Sequence, residues 1–421
     1  MRVILLTTGS RGDVQPFLAL AIGLKQTGHT VVLAAPPRFE QMITNYGVGF
    51  SSLGKLEGAP ERSEKTTANV ASGGTTGFLL SRVKEKMKVF EQLNEDAWRA
   101  CQGADAIISR ISPFLDAYSL AQKLSLPYFE VGLDPQTQTK DFPQMDLSHS
   151  PEIGGLYNWF TYEFVEQISW QIFRRSIQDF RVKRLGLDPY PFWGPGKLKR
   201  KREVPIFYAF SSTVVSKPDD WPTNTHITGY WFLSSMEYWQ PPHRLLEFLA
   251  STPAPIYVGF GSMTGQDSDT VLEIIIKALE LCNQRAVIAI EGITKYSDDT
   301  SLPEKYYLTD ALPHDWIFPS MKAAVHHGGA GTTAASILAG IPSVIVPHNY
   351  DQPFWGKRVA RLGIGPQPIP RKHLTAQNLA AAIGTAVSDP AIIHKAAEFG
   401  TKLRSENGVV RAVELFHHYI S

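Results

Sequence analysis

The densest chemical signal in the chain is Val325-His326-His327-Gly328-Gly329-Ala330-Gly331-Thr332-Thr333. An apolar strand runs into small residues and then into a helix expected to begin near Thr332. Glycines let a backbone approach a ligand closely, and the free N–H groups and positive dipole end of a helix suit a phosphate. Adjacent histidines on a strand point to opposite faces, so only one of the pair can face that ligand. The alternative is an ordinary strand-to-helix turn around a satisfied core histidine. A metal centre is disfavoured, because no third ligand stands at a recognisable spacing.

A second strand end follows at Pro347-His348-Asn349-Tyr350-Asp351-Gln352-Pro353. Asp351 and Gln352 together supply acceptors and donors, the equipment for gripping vicinal sugar hydroxyls. Plain N-capping by Asp351 of the helix holding Phe354 and Trp355 is the alternative. Gly259-Phe260-Gly261-Ser262-Met263 is a third loop of this kind, in which Ser262 either touches phosphate or closes a turn. Near the start, Thr7-Thr8-Gly9-Ser10-Arg11-Gly12-Asp13 separates an apolar strand from a helix, and Asp13 stands where it would cap that helix, with Pro16 in the first turn.

These loops need elements to hold them. Val3 to Leu6 is a short apolar run, as expected of a strand buried on both faces, and Phe17, Leu20, Ala21 and Leu24 recur at helical spacing before Val31 to Ala35. Strand patterns return at 106–108, 128–131, 255–260, 286–290, 305–308, 323–326 and 343–346, with helical patterns at 332–339, 354–362 and 375–387. Such alternation predicts an α/β protein with parallel sheets covered by helices and ligands outside the carboxyl ends of the strands. At ~150 residues per domain, 421 residues predict two or three domains. The expected division is a domain over 1–215, a proline-rich linker over 216–242, a second domain over 243–398, and a closing helical segment over 399–421. Two such sheets would put a cleft between them.

Forty-one Lys and Arg against 40 Asp and Glu leave a formal charge of +1, which argues against a nucleic-acid binder. Cys101 and Cys282 are too few for a disulfide framework and are expected to be reduced, inert and buried. The amino-terminal apolar run is too short for a signal peptide, and no run approaches the ~20 residues that span a bilayer, so a soluble intracellular protein is expected.

In order and spacing these segments resemble a GT-B nucleotide-sugar glycosyltransferase, of the group holding sterol 3-β-glucosyltransferases and bacterial natural-product glycosyltransferases. The resemblance rests on 9–16, Thr228-Gly229-Tyr230-Trp231, 257–263, Leu312-Pro313-His314-Asp315-Trp316, 326–333 and 351–353. It implies two Rossmann-like domains facing across a cleft. It places His326 on the donor diphosphate, with Gly329, Gly331, Thr332 and Thr333 lining the same phosphates and Ser262 opposite. Leu312 would offer its backbone to the base, Asp351 and Gln352 would hold the sugar, and Ser10 and Arg11 would reach over from the first domain. The plant secondary-metabolite branch has Trp where this chain has Ala311, so base stacking there is absent or comes from elsewhere.

The resemblance also makes Asp13 the general base, the residue that takes the acceptor hydroxyl's proton as the new bond forms. Capping and catalysis can coexist only if one carboxylate oxygen is free. Charge on the leaving diphosphate would be met by His326, Arg11 and helix N–H groups, with inversion at the anomeric carbon and no metal or other cofactor. Asp267-Ser268-Asp269 spells the metal triplet of a different glycosyltransferase fold, but here a solvated turn is expected.

Twelve of the 46 aromatic residues fall between Phe142 and Trp193, about twice the average density. Phe160, Phe164, Ile168 and Ile172 recur every four residues, beside Trp159, Tyr162 and Trp170. A helix packing its stripe into the core explains the pattern; an apolar acceptor pocket using Trp159, Phe160 and Phe164 is the functional alternative. The basic run Lys197, Lys199, Arg200, Lys201 and Arg202 reads as a solvated loop, with a peripheral contact to anionic lipid as its alternative.

The expected partners are therefore a nucleotide sugar, UDP-glucose first, and a small lipophilic acceptor such as a sterol. A dTDP- or UDP-sugar enzyme acting on a macrolide, polyketide, glycopeptide or phenolic is the runner-up. A non-catalytic nucleotide-sugar binder belongs to another class, and retention of Asp13, His326, Asp351 and Gln352 argues against it.

Overall fold

The computed structural model describes residues 1–54, 76–112, 114–147, 153–233, 239–260, 268–290, 303–348 and 350–421. The chain divides into two compact units, the first holding residues 1–212, 216–233 and 407–421 and the second holding 213–215 and 234–406.

The first unit is built on β1 (Arg2–Leu6), β2 (Thr30–Ala35), β3 (Gly49–Ser52), β4 (Ala106–Arg110), β5 (Tyr128–Gly132), β6 (Ile206–Tyr208) and β7 (Thr225–Ile227). They form one parallel sheet in the order β3-β2-β1-β4-β5-β6-β7. Its helices are α1 (Arg11–Gln26), α2 (Glu40–Asn45), α3 (Thr76–Ala100), α4 (Ala117–Leu124), α5 (Gly155–Asp179), α6 (Gly196–Lys201) and the chain's last helix, α14 (Gly408–Ile420).

Strand side chains alternate between faces, so each strand feeds two cores. Val3, Leu5, Val31, Leu33 and Ile108 pack with Phe17, Leu20 and Leu24 of α1 and Ala412 and Phe416 of α14. Ile4, Leu6 and Ile107 pack on the other side with Phe90, Ala97, Leu120 and Phe173. At Gly23 the helix α14 comes so close that a Cβ would stand 2.5 Å from Val409 Cγ1. The sheet order reverses between β1 and β4, which puts the ligand-binding position of such sheets at the loops leaving these two strands.

The second unit holds β8 (Ile256–Gly259), β9 (Ala286–Ala289), β10 (Tyr306–Thr309), β11 (Ala324–His326) and β12 (Ser343–Ile345). They pair in parallel in the order β10-β9-β8-β11-β12. Its helices are α7 (His243–Ala250), α8 (Ser268–Leu281), α9 (His314–Ile317), α10 (Ala330–Ala339), α11 (Gln352–Leu362), α12 (Ala376–Ser388) and α13 (Pro390–Arg404). Ile256, Val258, Ile288, Val325 and Val344 meet Leu272, Ile275, Leu379 and Ile383 of α8 and α12 in its main core. Here the order reverses between β8 and β11.

Several expectations change. The stretch 216–242 is not a plain linker, since β7 lies within it and completes the first sheet. The basic run is not a loop but mostly the short helix α6, and Lys199 is drawn inward to Glu130 at 2.6 Å. The stripe on α5 does not face the core: Phe160, Phe164, Ile168 and Ile172 are 58%, 46%, 46% and 52% exposed. Tyr162, Trp170, Phe173 and Ile177 are buried in their place. Cys101 is buried, its thiol pushed up to about 12 by burial, whereas Cys282 is only half-buried. Ser268 and Asp269 open α8 instead of forming a turn, and Asp267 lies outside the described residues.

Candidate functional site

In the first unit, the loop leaving β1 is shaped around Asp13. The helix starts earlier than expected, with Ser10 at its N-cap and Asp13 in its first turn, so Pro16 lies inside α1 rather than at its start. Asp13 Oδ2 accepts hydrogen bonds from the Ser10 backbone N–H at 2.7 Å and the Ser10 hydroxyl at 2.9 Å. Asp13 Oδ1 forms an ion pair with Arg110 Nη2 at 2.9 Å. Gly9 makes this possible: its φ is +111°, and a Cβ there would stand 2.3 Å from Asp13 Oδ2. Arg38 donates to the Gly9 carbonyl at 2.7 Å, pinning the loop from the other side. Arg11 is exposed.

Both carboxylate oxygens therefore have partners. The local sequence offers Asp13 a cap as its structural role and does not reveal Arg110 as a partner. Its signal was a single arginine at the carboxyl end of the apolar strand β4, which the register seats beside β1.

In the second unit, β11 delivers His326 to the strand-reversal position. His326 is fully buried, and its Nδ1 accepts a hydrogen bond from the Gly328 N–H at 3.1 Å. A neutral imidazole whose Nδ1 accepts carries its proton on Nε2. That Nε2 has no partner among the described residues, and neither has the buried Thr333 hydroxyl in the first turns of α10. Burial, followed by the neighbouring His327 and His314, holds the His326 imidazole well below its ordinary range. It is thus a neutral donor here, not the cation that charge stabilisation by histidine would suggest.

Gly328 has φ +86°, and a Cβ there would meet Ile345 Cγ2 at 2.6 Å and the Gln352 carbonyl at 3.2 Å. α10 begins at Ala330, two residues before the expected start, with Gly329 as an N-cap that offers no side-chain acceptor. The first-turn N–H groups are left for another partner. The His327 ring lies against this turn, its Nε2 2.6 Å from where a Gly329 Cβ would be. Around Gly331 no described residue outside its own turn comes within 4 Å of a Cβ position, and Thr332 is half-buried.

The loop after β12 closes over the same end of the sheet. Gln352 is buried, and its Oε1 accepts from the His348 N–H at 2.8 Å. Asp351 occupies the N-cap position of α11 without capping it; its Oδ2 accepts from Trp355 Nε1 at 3.0 Å. His327 and His348 are each held down to about 4, by burial first and then by His348 and His314 for one and Arg371 for the other. Leu312 is half-buried against the core around Tyr257 and Phe318. Ser262 lies outside the described residues. Among the described residues no three His, Cys, Asp or Glu side chains converge as metal ligands do.

The structure thus brings His326, Gly329, Gly331, Thr332, Thr333, Asp351 and Gln352 to one end of the second sheet, and Ser10, Arg11 and Asp13 to one loop of the first. Trp159, Phe160 and Phe164 lie on α5 of the first unit, 41%, 58% and 46% exposed, with the Phe160 and Phe164 rings stacked at 6.4 Å. A cavity of about 210 Å³ beside α5 is lined by Glu163, Glu166, Gln167, Trp193, Lys197 and Arg200, and by none of those three.

The glycosyltransferase family 28 N-terminal domain matches residues 3–123, and the erythromycin biosynthesis protein CIII-like C-terminal domain matches residues 273–409. A sterol 3-beta-glucosyltransferase of Emericella nidulans is 33% identical over 428 residues, covering 99% of this chain and 30% of that protein. One from Cryptococcus neoformans var. neoformans is 33% identical over 443 residues, covering 99% of this chain and 27% of that protein. The chain thus spans 30% or less of the length of these two relatives. Among solved structures, the glycosyltransferase of kitacinnamycin matches with a TM-score of 0.72 at 18% identity, over 99% of this chain and 98% of that one. The glycosyltransferase VinC, solved in complex with dTDP, matches with a TM-score of 0.66 at 16% identity, over 99% of each chain. At these identities the structural likeness concerns the fold.

Proposed function

Starting from the fact that the chain belongs to the GT-B glycosyltransferases, we propose that it transfers a hexose, glucose from UDP-glucose, to a hydroxyl of a lipophilic acceptor such as a sterol or another terpenoid. The observation that carries this reading is the β11–α10 junction. Among the described residues, a tautomer-fixed His326 Nε2–H and a buried Thr333 hydroxyl lack partners beside a helix N-terminus with no side-chain cap, all at one strand end. Buried donors are almost always satisfied, so donors left over together describe the outline of an absent acceptor. A diphosphate fits that outline, and Asp351 and Gln352 stand at the neighbouring strand end for the sugar.

In the proposed reaction the acceptor oxygen attacks the anomeric carbon while the bond to the diphosphate breaks, with inversion. Asp13 takes the hydroxyl proton on Oδ1, the oxygen whose recorded partner is Arg110 and which keeps a further acceptor site. Neutral His326 donates to a phosphate oxygen, and the α10 N–H groups and Thr333 add further donors as charge develops on the leaving group. Ser10 and Arg11, with Ser262, keep the phosphate roles that the family resemblance gives them, and Leu312 keeps its place at the base. Trp159, Phe160 and Phe164 are the apolar surface offered to the acceptor. No step calls for a divalent ion, so activity should survive EDTA.

A thermal-shift panel of nucleotide sugars, followed by an acceptor screen with the best donor, tests the reading; stabilisation follows mass action and so ranks the donors. UDP-glucose should lead, and sterols should release UDP. The match to the erythromycin-type C-terminal domain favours one second reading, a dTDP- or UDP-sugar enzyme acting on a natural-product aglycone. Stronger stabilisation by a dTDP-sugar would select it.

A further inference from the structure

The exposed face of α5 is unusual for a water-facing helix. Leu156, Phe160, Phe164, Ile168 and Ile172 recur every fourth residue, all more than two-fifths exposed, with Trp159 beside them. Contiguous apolar surface of this kind marks an interaction site.

The face is extended by a loop and a helix fastened to it. Trp170 Nε1 donates to the Phe192 carbonyl at 2.7 Å, and Gln167 Nε2 donates to the Trp193 carbonyl at 3.0 Å. The Phe192 and Trp193 side chains themselves stay 53% and 59% exposed, with the Arg174 guanidinium over the Phe192 ring. Arg200 of α6 reaches back to Glu166 at 3.3 Å and Glu163 at 3.6 Å on α5. Apolar face, aromatic loop and basic helix are therefore one continuous surface of the first unit.

Its charge identifies the occupant. Residues 174–202 contain ten Lys and Arg against two Asp, in a chain whose net charge is only +1. Of these ten, Arg181 is buried and Lys183, Arg184, Lys199 and Arg200 are paired with carboxylates, Arg200 with Glu163 and Glu166 of α5 itself, while Arg175, Lys197, Lys201 and Arg202 are exposed. Trp and Phe beside Lys and Arg is the composition that seats a helix in the headgroup region of an anionic bilayer. No described helix is long and apolar enough to cross a membrane, so the contact would be along the surface.

We propose that α5, the Phe192–Trp193 loop and α6 form a docking surface for an anionic lipid bilayer. The purpose of such docking rests on the reading of a lipophilic acceptor, but vesicle binding is measured without donor or acceptor. A failure of docking is thus separable from a failure of sugar transfer to a detergent-solubilised sterol.

The test is co-sedimentation of the full chain with phosphatidylcholine vesicles, with and without phosphatidylserine. The chain should sediment with the phosphatidylserine vesicles, less as salt rises, with a blue shift in tryptophan emission. Ile168→Asp with Ile172→Asp should cut partitioning ~10-fold or more. Lys201→Glu with Arg202→Glu should cut it about fivefold for each positive charge removed. The second pair and the salt titration decide the matter should the first pair fail to fold. A wild-type chain that stays in the supernatant with both vesicles overturns the proposal. So does a folded Ile168→Asp/Ile172→Asp chain that sediments like wild type, or one that loses only self-association, which would assign the face to a second copy.

Discussion

Arg110 Nη2 stands 2.9 Å from Asp13 Oδ1 where β4 runs beside β1, while Asp13 Oδ2 takes both the backbone and the hydroxyl of Ser10. One carboxylate thus closes the first turn of α1 and holds an arginine. The proposed base is built into the loop from two sides, with Oδ1, which holds Arg110 alone among the described residues, the oxygen with capacity left to accept a proton.

That arrangement makes Asp13→Asn informative. Asparagine keeps an acceptor for Ser10 but cannot act as a base. Turnover should fall by about 10²–10⁴, the usual worth of general base catalysis, while nucleotide-sugar affinity changes little. Steady-state kinetics with a separate donor-binding isotherm checks both; unchanged turnover removes Asp13 from catalysis and leaves it a cap.

Gly9→Ala should reproduce much of that loss without touching a reactive group. The added Cβ would stand 2.3 Å from Asp13 Oδ2 at a backbone φ of +111°, so the loop must shift and the carboxylate with it. Turnover should fall toward the Asp13→Asn level, and donor affinity should weaken as well because Ser10 and Arg11 ride on the same loop; the same two assays would report both.

His326 variants should fall in an order set by the Nε2 donor. His326→Gln can present an N–H close to the Nε2 position, whereas His326→Ala presents nothing. Donor binding should weaken by about tenfold to a hundredfold in the alanine variant, the range for a hydrogen bond to a charged group. The glutamine variant should lie in between by calorimetry. Equal affinities in all three would place the diphosphate elsewhere.

Acid should destabilise the second unit. His327 and His348 sit near 4 against an ordinary 6.5, so between those values the unfolded chain binds protons that the folded chain does not. Stability is whole above about pH 6.5 and drains as the pH falls toward 4, by up to about 1.4 kcal/mol per pH unit for each group, less for the more accessible His348. Urea midpoints at a series of pH values measure this slope. His326, also held well below its ordinary range, adds to the same slope, so His327→Gln with His348→Gln should reduce it without abolishing it.

Phe416→Ala tests the closing helix. Phe416 is fully buried and lies 5.1 Å from the Phe129 ring, so the substitution should cost about 3–5 kcal/mol of first-unit stability by urea unfolding.

The βαβ alternation and strand-end loops were legible because each buried strand is a short apolar run bounded by glycine and polar residues, as at 3–6 and 256–259. The ordered glycines and threonines of 326–333 were legible for the same local reason. What was not legible depended on partners distant in the chain. Arg110 meets Asp13 only because β1 and β4 are neighbours, and β7 is a strand only because β6 is there to pair with it. The α5 periodicity marked an apolar stripe, but a helix with apolar residues on two faces does not announce which one is buried; Trp170 and Phe173 took the core and Phe160 and Phe164 were left outside. The Nδ1 acceptor role of His326 came from a backbone N–H two residues on, which no residue type encodes.

The most direct test of the account is a single assay: UDP-glucose and a detergent-solubilised sterol incubated with the chain in EDTA, with UDP release and steryl glucoside followed together by mass spectrometry. Both products should form in equal amounts, and both should fall by about 10²–10⁴ in Asp13→Asn. Tight UDP-glucose binding with no product from any sterol or natural-product aglycone would contradict it and leave a nucleotide-sugar binder in its place.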